Sequence, residues 1–153
     1  MATYFLDTSA LVKRYATEAG SAWVSALCDP RAGNVIVISQ AALVETVAAL
    51  CRKAYYGAIS SVERDRAIGV FRHDARKSYD RERVTTAISV RAGDLCRTYN
   101  LRAYDAVQLA CALTLRDRLA PLGIVPTFVT ADVGLLGYAA SEGLPGENPD
   151  TFP

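Results

Sequence analysis

The stretch that most narrows the fold is residues 3–13, Thr-Tyr-Phe-Leu-Asp-Thr-Ser-Ala-Leu-Val-Lys. It begins with a short apolar run carrying two aromatics, Tyr4-Phe5-Leu6, which reads as a buried strand. Asp7, Thr8 and Ser9 then supply an acid and two hydroxyls that can cap a helix, and Ala10-Leu11-Val12 opens a helical pattern. Asp7 therefore stands where a strand ends and a helix begins. In an open α/β sheet ligands gather at that end of the strands, where free backbone N–H groups point outward. A plain helix cap explains Asp7 equally well, and the residue alone does not separate the two readings.

The rest of the chain alternates in the same manner. Residues 18–28 read as a short helix with Trp23, Val24 and Leu27 on one side, followed by an Asp29-Pro30 turn that runs to Asn34. Val35-Ile36-Val37-Ile38 is an unbroken β-branched run, the mark of a strand covered on both faces. Ser39 and Gln40 open a long helix to about Tyr56, stopped by Gly57. Ser60-Ser61-Val62-Glu63 has the form of a capping box and starts a helix that ends near Tyr79. A short strand is expected at 83–86, then helices at 88–99 and 103–119, the second ended by Pro121 and Gly123. A strand at 125–130, a helix at 131–140, and either a very short edge strand near Leu144 or none complete the chain. This order argues for an α/β fold, a parallel-centred sheet sandwiched between helices, and 153 residues suit a single domain spanning 1–153.

Composition removes several functions. The net charge of +1 argues against nucleic-acid binding through a large basic surface alone. The N-terminus lacks a basic, signal-like segment, and charged residues interrupt every apolar stretch before membrane-spanning length, so a soluble cytoplasmic protein with no membrane partner is expected. Cys28, Cys51, Cys96 and Cys111 are widely spaced, and the last three fall in apolar helical patterns where a thiol acts as a small hydrophobe. The single histidine, His73, lies in the charged run Arg72-His73-Asp74 and reads as a surface residue, which leaves Ser/His or Cys/His catalysis little to work with.

Four of the sixteen acids lie in unusual company. Asp7 follows Tyr-Phe-Leu. Glu45 is flanked at helical spacing by Ala41, Ala42, Ala48 and Ala49, small side chains that leave a recess around the carboxylate. Asp105 sits near a helix start in Ala-Tyr-Asp-Ala-Val, and Asp132 follows the strand Phe128-Val129-Thr130. Each has a structural explanation: caps for Asp7 and Asp132, a helix dipole for Asp105, pairing with Arg52 or Lys53 for Glu45. Taken together those explanations persuade less. A buried carboxylate without a partner costs several kcal/mol, and four converging carboxylates repel one another unless a hard cation such as Mg²⁺ or Mn²⁺ lies among them. An oxygen-ligated metal of that kind activates water and neutralises phosphoryl charge, so phosphodiester hydrolysis is the chemistry that fits best.

With these residues in view, the chain resembles the PIN-domain proteins, and specifically the VapC toxins of bacterial and archaeal type II toxin–antitoxin pairs. The resemblance rests on residues 4–13, on Glu45 in its helix, on Leu101-Arg102-Ala103-Tyr104-Asp105-Ala106-Val107-Gln108-Leu109-Ala110, and on Thr130-Ala131-Asp132-Val133-Gly134-Leu135, four blocks in register. It implies a three-layer sandwich with a mostly parallel sheet of four or five short strands and about seven helices. It also implies a Mg²⁺- or Mn²⁺-dependent endoribonuclease that leaves a 5′-phosphate and a 3′-hydroxyl. Asp7, Glu45, Asp105 and Asp132 map onto the family's metal-binding and catalytic acids, and Thr130 onto its hydroxyl position, where it would orient an acid or a water. Thr8 either does likewise or caps the helix. Gln108 stands where most relatives carry His, and no consequence is attached to it.

Lys13, Arg14, Arg52, Lys53 and Arg102 lie close enough in sequence to these acids to contact RNA phosphates, and ordinary solvated helix residues account for them as well. The resemblance further implies a homodimer, and a VapB-like antitoxin that sets a basic side chain in the acidic pocket. An RNA- or protein-binding module with little nuclease activity is the alternative. Phe5-Leu6-Asp7-Thr8-Ser9 also faintly resembles the nucleophile strand of haloacid-dehalogenase phosphatases, but that family expects a second Asp where Ser9 stands.

Overall fold

The computed structural model describes residues 1–152. Among them are five strands: β1 (Thr3–Leu6), β2 (Val35–Ser39), β3 (Tyr79–Glu82), β4 (Thr127–Val129) and β5 (Gly146–Glu147). They form one sheet in the order β3-β2-β1-β4-β5, with every neighbouring pair parallel. The helices are α1 (Thr8–Leu11), α2 (Ser21–Leu27), α3 (Ala42–Tyr55), α4 (Ser61–Lys77), α5 (Thr86–Thr98), α6 (Ala103–Leu119) and α7 (Val133–Ser141). No described helix is long and apolar enough to cross a membrane.

Three layers result because the strand side chains alternate. Phe5, Val37 and Phe128 project to one face and pack with Ile88 and Leu95 of α5, Leu109 and Leu113 of α6, and Leu135 of α7. Leu6, Ile36, Ile38 and Val129 project to the other and meet Leu11, Val24 of α2 and Phe71 of α4. Both faces are covered, which is why β1 and β2 read as continuous apolar runs. Phe5 and Phe128 are neighbours across the β1–β4 pair, their rings 6.0 Å apart, and truncating either to Ala would cost about 3–5 kcal/mol.

Several boundaries differ from the sequence expectation. The strand expected at 83–86 lies instead at Tyr79–Glu82, and Thr85 caps α5 through a hydrogen bond from the Ile88 N–H. β3 is an edge strand, and its charged residues Asp80, Arg81 and Glu82 hid it from an apolar pattern search. Ser39 belongs to β2, and α3 starts at Ala42. The helix expected from residue 18 starts at Ser21, after Gly20 turns the chain at φ +79°. The Ser60–Glu63 capping box is present with both of its hydrogen bonds. Cys51 and Cys96 are exposed rather than packed, while Cys28 and Cys111 are buried. His73 lies at the surface.

The C-terminal segment is tied down along its length. β5 extends the sheet beside β4, Asp150 reaches the Lys13 ammonium at 2.7 Å, and the Phe152 ring stacks on Trp23 at 4.3 Å.

Candidate active site

Because the sheet is parallel throughout, β1, β2 and β4 all end on the same edge. The chain runs outward from β1 through β2 to β3, then returns to the other side of β1 as β4. That reversal of direction opens a crevice beyond the end of β1, the place where such sheets bind ligands. Asp7 follows β1, Thr130 follows β4, and the two strand ends are joined by a hydrogen bond from the Asp7 N–H to the Val129 carbonyl at 3.0 Å.

Asp7 is only 4% exposed. One carboxylate oxygen accepts the Ala10 N–H at 3.0 Å, capping α1, and the Ser9 hydroxyl at 2.7 Å; the other accepts the Thr130 hydroxyl at 2.8 Å. No cation pairs with it among the described residues. Burial therefore prevails over these hydrogen bonds and pushes the Asp7 carboxyl up to about 6, with the charge of Asp105 adding to the rise. Thr130, itself fully buried, also accepts the Asp132 N–H at 3.1 Å, so one hydroxyl links two of the acids. Asp132 caps α7 by accepting the Leu135 N–H at 3.0 Å.

Glu45 projects from the first turn of α3. Its Oε2 accepts the Thr8 hydroxyl at 2.7 Å and the Gln108 amide at 3.2 Å, whereas its Oε1 is buried and has no partner among the described residues. Burial raises its pKa too, again with a contribution from Asp105. The pairing of Glu45 with Lys53 does not occur, because Lys53 is held by Glu18 at 2.7 Å. Asp105, in the first turn of α6, receives the Arg102 Nε at 3.1 Å.

Glu45 and Asp105 line one hollow of about 420 Å³, with Thr8, Tyr104 and Arg52. Asp105 and Asp132 line a neighbouring hollow of about 320 Å³, with Asn100 and Tyr138. Arg102 and Asp105 border both, and form the rib between them. Asp7 lies buried next to this rib, within reach of the Asp105 charge. Glu45, Asp105 and Asp132 thus line two adjoining hollows that share Asp105, and Asp7 is buried within reach of the Asp105 charge while lining neither. In the side-chain conformations shown, no three Asp, Glu, His or Cys residues among those described are placed to hold one metal ion. One Asp132 oxygen is turned onto its helix, and one Asp105 oxygen onto Arg102.

Of the five cations expected near RNA, two border the crevice. Arg52 is exposed with no partner among the described residues, and Arg102 is exposed beyond its pair with Asp105. The other three are engaged elsewhere. Lys13 is buried and bonded to Asp150, Glu18 and the Ala19 carbonyl. Arg14 bonds Asp74 at 3.1 Å within a group that includes Tyr15 and Tyr79, and Lys53 holds Glu18. Gln108 was given no role by sequence reasoning, yet it is a buried polar side chain bonded to two site residues. The signal available was a Gln inside the otherwise apolar run Ala106-Val107-Gln108-Leu109-Ala110.

Comparison with known proteins points the same way. No curated protein sequence matches significantly. The VapBC2 structure from Rickettsia felis, bound to a DNA fragment from its promoter, superposes with a TM-score of 0.60 at 15% identity, covering 95% of this chain and 98% of that one. VapC20 of Mycobacterium tuberculosis, a toxin that cleaves the sarcin–ricin loop, gives 0.60 at 18% identity over 92% of this chain and 95% of its own. FitAcB of Neisseria gonorrhoeae gives 0.54 at 14% identity over 95% and 97%. At such identities the likeness is one of fold. The PIN domain family model matches residues 4–132, most of the chain and all four acids, and the chain belongs to the PIN domain family.

Proposed function

We propose that this chain is a Mg²⁺- or Mn²⁺-dependent endoribonuclease, a toxin of the VapC kind acting in the cytoplasm. The observation that carries the reading is the gathering of Glu45, Asp105 and Asp132 in two adjoining hollows that share Asp105, with Asp7 buried within reach of the Asp105 charge and, among the described residues, no cation on Asp7 and no partner on the buried Glu45 Oε1. The donor set is all oxygen, which suits a hard divalent ion. The engagements that turn the acids apart are weak: the Arg102–Asp105 pair is solvent-exposed on the arginine side, and such pairs contribute about 0–1 kcal/mol. Asp132 spends one oxygen on its cap and keeps the other.

Asp7, Glu45, Asp105 and Asp132 would hold the cation. A bound divalent cation supplies a polarised water and offsets the charge that builds on the phosphoryl oxygens. Thr130 fixes the orientation of Asp7 by donating to its second oxygen, and ties Asp132 to the same point through the backbone. Thr8 and Gln108 orient Glu45. Arg52 and Arg102, on the rim, contact RNA phosphates on either side of the scissile bond. A VapB-like antitoxin would compete by presenting a basic side chain to the same field, with Arg102 already showing a guanidinium accepted there. The toxin–antitoxin kinship of the VapBC2 and FitAcB structures supports that partner, and a homodimer, implied by the family resemblance alone, is part of the same proposal.

The test is incubation of purified protein with total RNA. Cleavage that needs Mn²⁺ or Mg²⁺, stops in EDTA, and falls at least 100-fold in Asp105→Asn is expected. Undiminished cleavage in EDTA would refute the reading. The cap duties of Asp7 and Asp132 and the Arg102–Asp105 pair favour a second one, an RNA- or protein-binding module with little activity. Calorimetry showing RNA or antitoxin binding without Mn²⁺ uptake selects it.

A further inference from the structure

Gln108 is 2% exposed on the inner side of α6. Its amide nitrogen donates to Thr8 Oγ1 at 3.1 Å and to Glu45 Oε2 at 3.2 Å. The Thr8 hydroxyl has one proton, and it goes to the same Glu45 oxygen at 2.7 Å. The directions follow from the donor count. A carboxylate only accepts, so Thr8 must donate to it, and Gln108 must turn its NH₂ toward both. A flipped amide would set its carbonyl against the carboxylate and leave Oε2 with a single donor. Three elements that are distant in sequence thus meet at one oxygen of Glu45. The other oxygen, Oε1, is buried and has no donor among the described residues, and Gln108 Oε1 has none there either.

We infer that Gln108, together with Thr8, is a positioning residue that holds Glu45 as a one-oxygen ligand, with Oε2 saturated by donors and Oε1 alone offered to the divalent ion. This rests on the metal-dependent reading above and deepens it. The saturated oxygen cannot join in chelating an ion without giving up two hydrogen bonds, so a two-oxygen grip by Glu45 is disfavoured. Mg²⁺ requires near-octahedral geometry and keeps several waters, so single oxygens from well-held carboxylates suit it. Groups that orient a ligand typically change metal affinity by about 10–100-fold when removed.

The experiment is a calorimetric Mn²⁺ titration of the intact, metal-free protein, with thermal unfolding measured in EDTA on the same samples. Gln108→Leu keeps the volume and removes both donors. It is expected to weaken Mn²⁺ binding by about 10–100-fold and to leave KM for RNA unchanged, while the metal-free unfolding transition shows that the variant is folded. Gln108→His retains one N–H and is expected to restore part of the affinity. Thr8→Val removes the other donor and should cause a comparable loss, and the double variant should lose less than the two single losses combined, since both act on one oxygen. Thr8→Val also decides the matter should Gln108→Leu fail to fold. Mn²⁺ affinity within twofold of wild type in both Gln108→Leu and Thr8→Val would overturn the inference. Wild-type protein that takes up no Mn²⁺ overturns the metal-dependent reading itself, a different result from uptake that is indifferent to Gln108.

Discussion

Replacing Asp7 with Asn should stabilise the metal-free protein at neutral pH and destroy its proposed activity. Asp7 is buried among apolar strand ends, and its carboxyl is raised from 3.8 to about 6, chiefly by loss of water. An acid with a raised folded-state pKa favours folding when protonated. Its contribution is complete below about 3.8, is lost as the pH rises through about 6, and is flat above. A rise of roughly 2 units at about 1.4 kcal/mol each makes the ionised carboxylate an unfavourable element of about 3 kcal/mol at pH 7. Asn keeps the shape, and its one acceptor oxygen keeps the Ala10 cap and the Ser9 bond, but its NH₂ cannot accept from the Thr130 hydroxyl and must donate to that oxygen instead, a rearrangement that returns about 1 kcal/mol relative to the protonated acid. The net gain expected in Asp7→Asn is about 2 kcal/mol at pH 7.5, or about 4–8 °C in Tm for a chain of this size. The measurement is thermal unfolding of both proteins in EDTA from pH 3.5 to 8. The variant should be slightly less stable than wild type at pH 3.5, equal to it between about pH 4 and 5, and at its full advantage by about pH 7. A variant less stable than wild type at pH 7.5, or a difference independent of pH, refutes the reasoning. Saturating Mn²⁺ should reverse the order, because it stabilises only the protein that binds it.

Other perturbations test the surroundings of the site. Arg52→Ala should lower the salt dependence of RNA binding by about one unit of slope while Lys53→Ala leaves it unchanged, since Lys53 is already neutralised by Glu18; equal effects from both would contradict this, and filter binding across salt concentrations reads it. Lys13→Met should lower stability by about 1–3 kcal/mol in urea titrations by stranding Asp150 and the Ala19 carbonyl, with no change in RNA salt slope. Gly20→Ala should cost at least about 2 kcal/mol, because Gly20 has φ +79° and an added Cβ would collide with the Pro149 carbonyl. Chemical denaturation of that variant checks it, and wild-type stability would show that the C-terminal segment does not press on this turn.

Much of the fold was legible because burial leaves a periodic trace. Tyr4-Phe5-Leu6 and Val35-Ile36-Val37-Ile38 had to be covered on both faces, and they are the central pair of the sheet. The capping box at Ser60–Glu63 is a local hydrogen-bond pattern and was readable as such. β3 was missed for the opposite reason: an edge strand buries little, so Tyr79-Asp80-Arg81-Glu82 carries no apolar run. Glu82 is buried there only because Arg118, from α6, grips it with two bonds of 2.9 and 2.7 Å.

The candidate site divides along the same line. By itself the sequence determined which acids lie in apolar company, since a carboxylate flanked by Leu, Val and Ala is an energetic anomaly wherever the chain folds. It also determined that two of them, Asp7 and Asp132, begin helices. Which side chains converge was decided only by tertiary structure, because sheet order and helix packing bring residues 8, 45 and 108 together and no local rule links them. The same packing drew Lys13 and Lys53 away from the crevice to Asp150 and Glu18, left Arg52 and Arg102 on its rim, and gave Gln108 its two partners. Proximity across long sequence separations is a property of the packed layers, and hydrogen-bond partners are set by that proximity.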